Sequence, residues 1–92
     1  MPRIRIESGW DTGRAIDETT VGRFAAAGAD DPSYRAWWDE RWPTVVRFQL
    51  ELDAEDYSAA SLAARPRIAE IAATAGVDGS MHSLFTVPAF SA

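Results

Sequence analysis

The sequence predicts a small α+β domain: a two- or three-stranded sheet with helices packed on one face. Three observations carry this. Val46, Phe48, Leu50 and Leu52 alternate with Arg47, Gln49, Glu51 and Asp53 between Pro43 and Asp53, the pattern of a strand with one apolar and one wet face. Around it lie segments that open with helix-capping acids and close at glycines. The chain of 92 residues has no stretch that reads as a dividing linker, so it forms one domain, 1–92. A chain of this size buries roughly 60–65% of the surface that its unfolded form exposes, enough for a core with a thin margin.

Taken in order, Arg3-Ile4-Arg5-Ile6-Glu7 alternates like the central strand, and its charged face is placed to meet Arg47 and Glu51. Ser8 to Gly13 reads as a loop. Asp17 caps a helix through Ala27, whose apolar stripe is Val21, Phe24, Ala25 and Gly28, with Gly28 as a left-handed stop. Gly22 weakens this helix by about 1 kcal/mol relative to alanine.

Asp30-Asp31-Pro32 predicts a second helix, with Asp31 as cap and Pro32 at its first position. Pro43 ends it near Trp42. On such a helix Tyr34, Trp37, Trp38 and Trp42 span an arc of about 140°, with Arg41 inside it. Tyr34 and Trp38 at the middle of the arc are expected in the core. Trp37, Trp42 and Arg41 are the candidate partner-binding residues, because tryptophan and arginine dominate interface energetics.

After the central strand, Asp53-Ala54-Glu55-Asp56 reads as a cap followed by first-turn acids. Helix formers run through Ala64, Pro66 predicts a kink or break near Arg65, and a second segment reaches Ala75 with Gly76 as its stop. Ile68, Ile71, Ala72 and Ala75 form its buried stripe. Ser83 to Val87 is a third candidate strand, ended by Pro88. The helical segments between the first two strands leave a parallel pairing open.

The net charge is −5, and all nine basic residues are arginine. Arginine without lysine, beside many alanines, points to a GC-rich bacterial genome. The acidic balance gives little attraction to nucleic acid or anionic lipid, so neither is expected as a partner. There is no cysteine, which excludes disulfides, thiolate nucleophiles and cysteine-type zinc sites. No apolar run approaches the ~20 residues of a membrane span, and a cytoplasmic protein is the expectation.

Catalytic patterns are weak. His82 is the only histidine, flanked by Ser80 and Ser83, without the nucleophile elbow of a serine hydrolase. The acids at 30–31, 39–40 and 53–56 lack the alternation and turn glycine of a calcium loop. Asp11-Thr12-Gly13 reads as turn chemistry, and no phosphate-cradling glycine loop occurs. No catalytic residue, cofactor or metal is therefore assigned.

Ile68 to Val77 resembles the first helix and Ala-Gly-Val turn of a bacterial helix-turn-helix, which implies a recognition helix within 78–85. That segment carries no arginine or lysine to reach bases or phosphates. The leading expectation is thus a non-enzymatic accessory domain that binds another protein or a second copy of itself. A helix-turn-helix DNA-binding protein over 68–85 is second, and a small acid/base enzyme third.

Overall fold

The computed structural model describes residues 2–88 and contains six elements: β1 (Arg3–Asp11), α1 (Glu18–Ala27), β2 (Arg35–Trp38), β3 (Val45–Asp53), α2 (Tyr57–Ala75) and β4 (Ser80–Pro88). The strands form one sheet in the order β2-β3-β1-β4, with every neighbouring pair antiparallel. This is the β-α-β-β-α-β arrangement in which β3 separates β2 from β1. Both helices lie on one face, so the α+β class and one-sided coverage follow as the alternation implies.

The central strand behaves as its pattern dictates. Val46, Phe48 and Leu50 are buried on the helix face, opposite Trp10, Ser8 and Ile6 of β1. Phe24 from α1 stacks on Phe48 with ring centroids 5.9 Å apart, while Ala60, Ala64, Ile68, Ile71, Ala72 and Ala75 of α2 complete the core. The expected stripe of α2 is buried throughout. On α1 the stripe is narrower: Phe24 is buried and Val21 half-buried, but Ala25 is exposed.

Several local expectations change. The aromatic segment is not a helix over 32–42. Residues 28–33 turn, Arg35–Trp38 form β2, and a loop follows to β3. Asp31 caps a turn instead, accepting from the Ser33 amide at 2.8 Å and the Ser33 hydroxyl at 2.7 Å. The reason is non-local: β3 has an edge whose backbone groups need partners, and aromatic residues suit a strand there. The sheet gains a fourth strand as a result. Tyr34 does enter the core as expected, but from the turn before β2.

Helix α2 is continuous through Pro66. Proline leaves the carbonyl four residues earlier, that of Leu62, without its donor. Both residues are exposed, on the solvent side of the helix. Its cap is Asp56, which accepts from the Ala59 amide at 2.8 Å, because β3 extends through Asp53. Gly76 ends the helix in the left-handed conformation, φ 71°. Gly28 does not: its φ is −110°. Glycine is required there because a Cβ would stand 2.5 Å from the Tyr34 ring.

β1 runs on through Asp11, past the expected loop at residue 8, and pairs with β3 antiparallel rather than parallel. Nor do residues 68–85 form a helix-turn-helix. After Gly76 the chain enters β4, so no recognition helix exists.

Two outcomes test this packing. Leu50→Asp, which sets an unpaired charge beside Ile6 and the helices, should prevent folding, whereas Gln49→Asp on the other face should cost under about 1 kcal/mol by urea denaturation. Burial pushes the Tyr34 phenol up to about 12, and its hydroxyl donates to the Phe24 carbonyl at 2.6 Å. A pKa raised on folding means stabilisation that is full below the ordinary value and lost as pH climbs through the folded one. Tyr34→Phe should cost about 1 kcal/mol near neutrality. The gap from wild type should narrow once pH passes the ordinary tyrosine value near 10 and close before about pH 12.

Candidate functional site

Among the described residues no other element covers the face of the sheet away from the helices, and the register sets out its residues in rows. One row crosses the sheet as Trp37, Arg47, Gly9 and Ser83. The next is Arg35, Gln49, Glu7 and Phe85, followed by Glu51, Arg5 and Val87. The apolar side chains therefore stand on the two edge strands, Trp37 on β2 and Phe85 with Val87 on β4. Phe85 is 57% exposed, a large apolar residue left in water. A shallow hollow lies among Arg35, Trp37 and Gln49.

Charges on this face divide into committed and free. Arg3 reaches Glu51 at 3.2 Å and Asp53 at 3.5 Å, and Arg5 reaches Glu51 at 3.9 Å. The first strand's charged residues thus meet Glu51 as expected, while Arg47 lies opposite Gly9. Among the described residues Arg35, Arg47 and Glu7 form no ion pair.

One end of the face is closed. A Cβ on Gly9 would stand 2.8 Å from a Val45 methyl and 3.4 Å from the Ser83 hydroxyl, so only glycine fits beneath them. The chain between β2 and β3 brings Trp42 to His82, edge to face, with centroids 5.2 Å apart. His82 sits where β4 slips register against Gly9 and Trp10, an irregularity that turns its ring toward Trp42. Asp11 lies nearby. The Gly13 amide, then the Thr44 hydroxyl and the positive field of His82, hold its carboxyl below the ordinary range. Asp11-Thr12-Gly13 is indeed a turn, the Gly13 amide donating to Asp11 Oδ1 at 2.9 Å.

The three candidate partner-binding residues are separated by this geometry. Trp37 lies half-buried on the open face, Trp42 is 40% exposed at its closed end, and Arg41 points away, bound to Asp39 at 2.7 Å. That guanidinium, with the Arg41 amide and a smaller contribution from Arg47, draws the Asp39 carboxyl down to about 2. The shared helical arc does not exist. Trp38, expected in the core, is 44% exposed on the helix side. There it rims an apolar groove of about 680 Å³ between α1 and β2, with Ile16, Val21 and Gly22. Among the described residues no group of three or more His, Asp or Glu is placed to hold a metal ion.

Sequence reasoning missed Phe85, Arg35 and Glu7 as surface partners of Trp37. The alternation of Ser83, Phe85 and Val87 was the available signal, since it sets the three on one face of a strand.

Trp38→Ala tests the placement of this residue. The change should cost under about 2 kcal/mol, not the about 3–5 kcal/mol of a core tryptophan, measured by urea denaturation.

No protein-family model matches the chain, and no curated protein does. A solved structure is similar in fold: that of a protein from Chloroflexus aurantiacus J-10-fl, named as an antibiotic biosynthesis monooxygenase. The TM-score is 0.57 over 98% of this chain and 95% of that one, at 11% sequence identity. At that identity the likeness is one of fold, and it extends over the whole six-element unit.

Proposed function

We propose that this chain is a non-enzymatic binding domain that engages another polypeptide through the open face of its sheet. The observation that supports the reading is the split between the faces. Two helices bury one face, while the other leaves Phe85 exposed and Trp37 and Val87 half-buried beside unpaired charges of both signs. Large aromatic residues flanked by arginine are the residue types that anchor protein interfaces. Trp37 is the anchor of this site. Trp42 buttresses its closed end, and Arg41 lies outside it.

Nucleic acid suits this face poorly. Arg3, Arg5, Arg35 and Arg47 are interspersed with Glu7, Glu51 and Asp53, so the face carries no basic field over a chain that is already acidic.

The test compares Trp37→Asp with Leu62→Asp, a control at a residue 71% exposed on α2. Association is measured by light scattering of the purified chain and by pull-down with proteins encoded beside it. Trp37→Asp should stay folded by circular dichroism and lose association, while Leu62→Asp keeps it. Undiminished association of Trp37→Asp would sink the reading.

A further inference from the structure

We infer that a second site, apart from the open face, binds a phosphate group in a polar cavity on the helix side of the sheet, between Arg14 and Arg23. The cavity has a volume of about 120 Å³ and lies where three segments converge. The connection from β1 to α1 supplies Thr12 and Arg14, α1 supplies Thr20 and Arg23, and the turn after α2 supplies Gly76 and Asp78. Water takes about 30 Å³ per molecule in the liquid, so this space admits a group of a few heavy atoms. A free tetrahedral oxyanion fits it, as does the phosphate end of a larger molecule.

Charge selects an anion. The chain has fourteen acids for nine arginines, yet among the described residues neither Arg14 nor Arg23 forms an ion pair. Two guanidiniums beside one cavity repel each other, and a dianion between them turns that repulsion into attraction. The acids close by are already engaged. Asp17 caps α1, accepting from the Thr20 amide and the Thr20 hydroxyl at 2.8 Å each, and Asp11 accepts from the Gly13 amide. Among the described residues Asp78 is the one carboxylate in the wall, so the wall stays net positive.

Direction selects phosphate over carboxylate. One guanidinium fork already satisfies both oxygens of a carboxylate. Arg14 and Arg23 stand on different walls, which suits an anion that presents oxygens in several directions. A tetrahedral phosphate does so, and its second charge matches the second arginine.

The walls are fixed by the fold itself. The Thr12 and Ile16 amides donate to the Thr44 and Pro43 carbonyls at 2.9 Å, which pins the loop at both ends. Thr12 Oγ1 accepts from the Arg14 amide at 3.3 Å and donates to the Arg14 carbonyl at 2.8 Å, setting the backbone of Arg14. Arg23 is carried by a capped helix, and the Val77 amide ties the opposite wall to the Ala72 carbonyl at 3.2 Å. Binding therefore orders the two arginine side chains and little else, which keeps its entropic cost small.

The test is a titration of the nitrogen-labelled chain, followed by nuclear magnetic resonance at constant ionic strength, with inorganic phosphate, glycerol phosphate and acetate. Inorganic phosphate should shift the amides of residues 12–14, 20–23 and 76–78 in a saturable way. Arg14→Gln and Arg23→Gln should each weaken binding by about tenfold, while Asp78→Asn, which removes the opposing charge, should tighten it. Arg65→Gln removes the same charge from an exposed, unpaired arginine of α2 and should change nothing. Both pocket guanidiniums are exposed and unpaired, so their variants should keep the wild-type urea midpoint. Tighter binding of glycerol phosphate than of inorganic phosphate would identify an organic phosphate as the ligand, and the reverse order the free ion. Shifts that never saturate or scatter over the chain, acetate bound as tightly as phosphate, or arginine variants of unchanged affinity would overturn the inference. So would a loss in Arg65→Gln equal to that of the pocket variants.

Discussion

Phe48 is the side chain on which the rest of the packing depends. It is fully buried at the middle of β3, between Ser8 of β1 and Ala36 of β2. Phe24 stacks over it at 5.9 Å, and Tyr34 tilts against it at 6.2 Å. Through these rings one residue ties together α1, the turn before β2 and the central strand. The Tyr34 hydroxyl bonded to the Phe24 carbonyl closes the triangle. Gly28 follows from it, since any side chain there would displace the Tyr34 ring. Small neighbours make room for the aromatic group. Ser8 is buried directly opposite Phe48, its hydroxyl satisfied by the Ser83 carbonyl at 2.6 Å. A serine in a β-branched pattern thus fills a position where a larger side chain would crowd the aromatic rings, and it also links β1 to β4.

What the sequence made legible was whatever its residues decide locally. Alternation over 46–53 is enough to specify β3, because period-two burial admits no other regular structure. Asp17 announces its helix through a cap that forms as its chemistry requires, with the Thr20 amide donating at 2.8 Å. The stripe of α2 and its left-handed glycine are equally local. The segment 32–42 is different. Asp31-Pro32 and the aromatic spacing are true helix signals, yet they compete with an unpaired strand edge many residues away. That edge offers Arg35–Trp38 a set of backbone partners, and no window of sequence contains it. Pro66 shows the converse error. Proline in a helix interior costs a hydrogen bond and a clash with the carbonyl four residues earlier, and α2 accommodates it where Leu62 and Pro66 are both exposed, which the local sequence does not reveal.

The candidate site was legible only in part for the same reason. Trp37 is singled out by its residue type, which holds whatever its secondary structure. Its neighbours are not, because register alone brings Arg35 and Gln49 from adjacent strands beside Glu7 and Phe85. Arg41 fails as a candidate because Asp39, two residues before it, binds its guanidinium in the loop.

The open face is not uniformly open, and its two ends are closed by different means. At one end Trp42 and His82 meet while Val45 lies over Gly9, so that Val45 is only 3% exposed although it points away from the helices. At the other, Arg3 and Arg5 are held by Glu51 and Asp53. Exposed pairs of this kind add little stability, but they neutralise the charge that would otherwise seek a partner. Between the two ends remain the rows of Trp37 and Phe85, where apolar edges and unpaired charges of both signs coincide. A four-stranded sheet with two helices can cover only one face. The chemistry left on the other is therefore confined to one patch, where Trp37 and Phe85 stand on opposite edge strands with Arg35, Arg47 and Glu7 between and beside them.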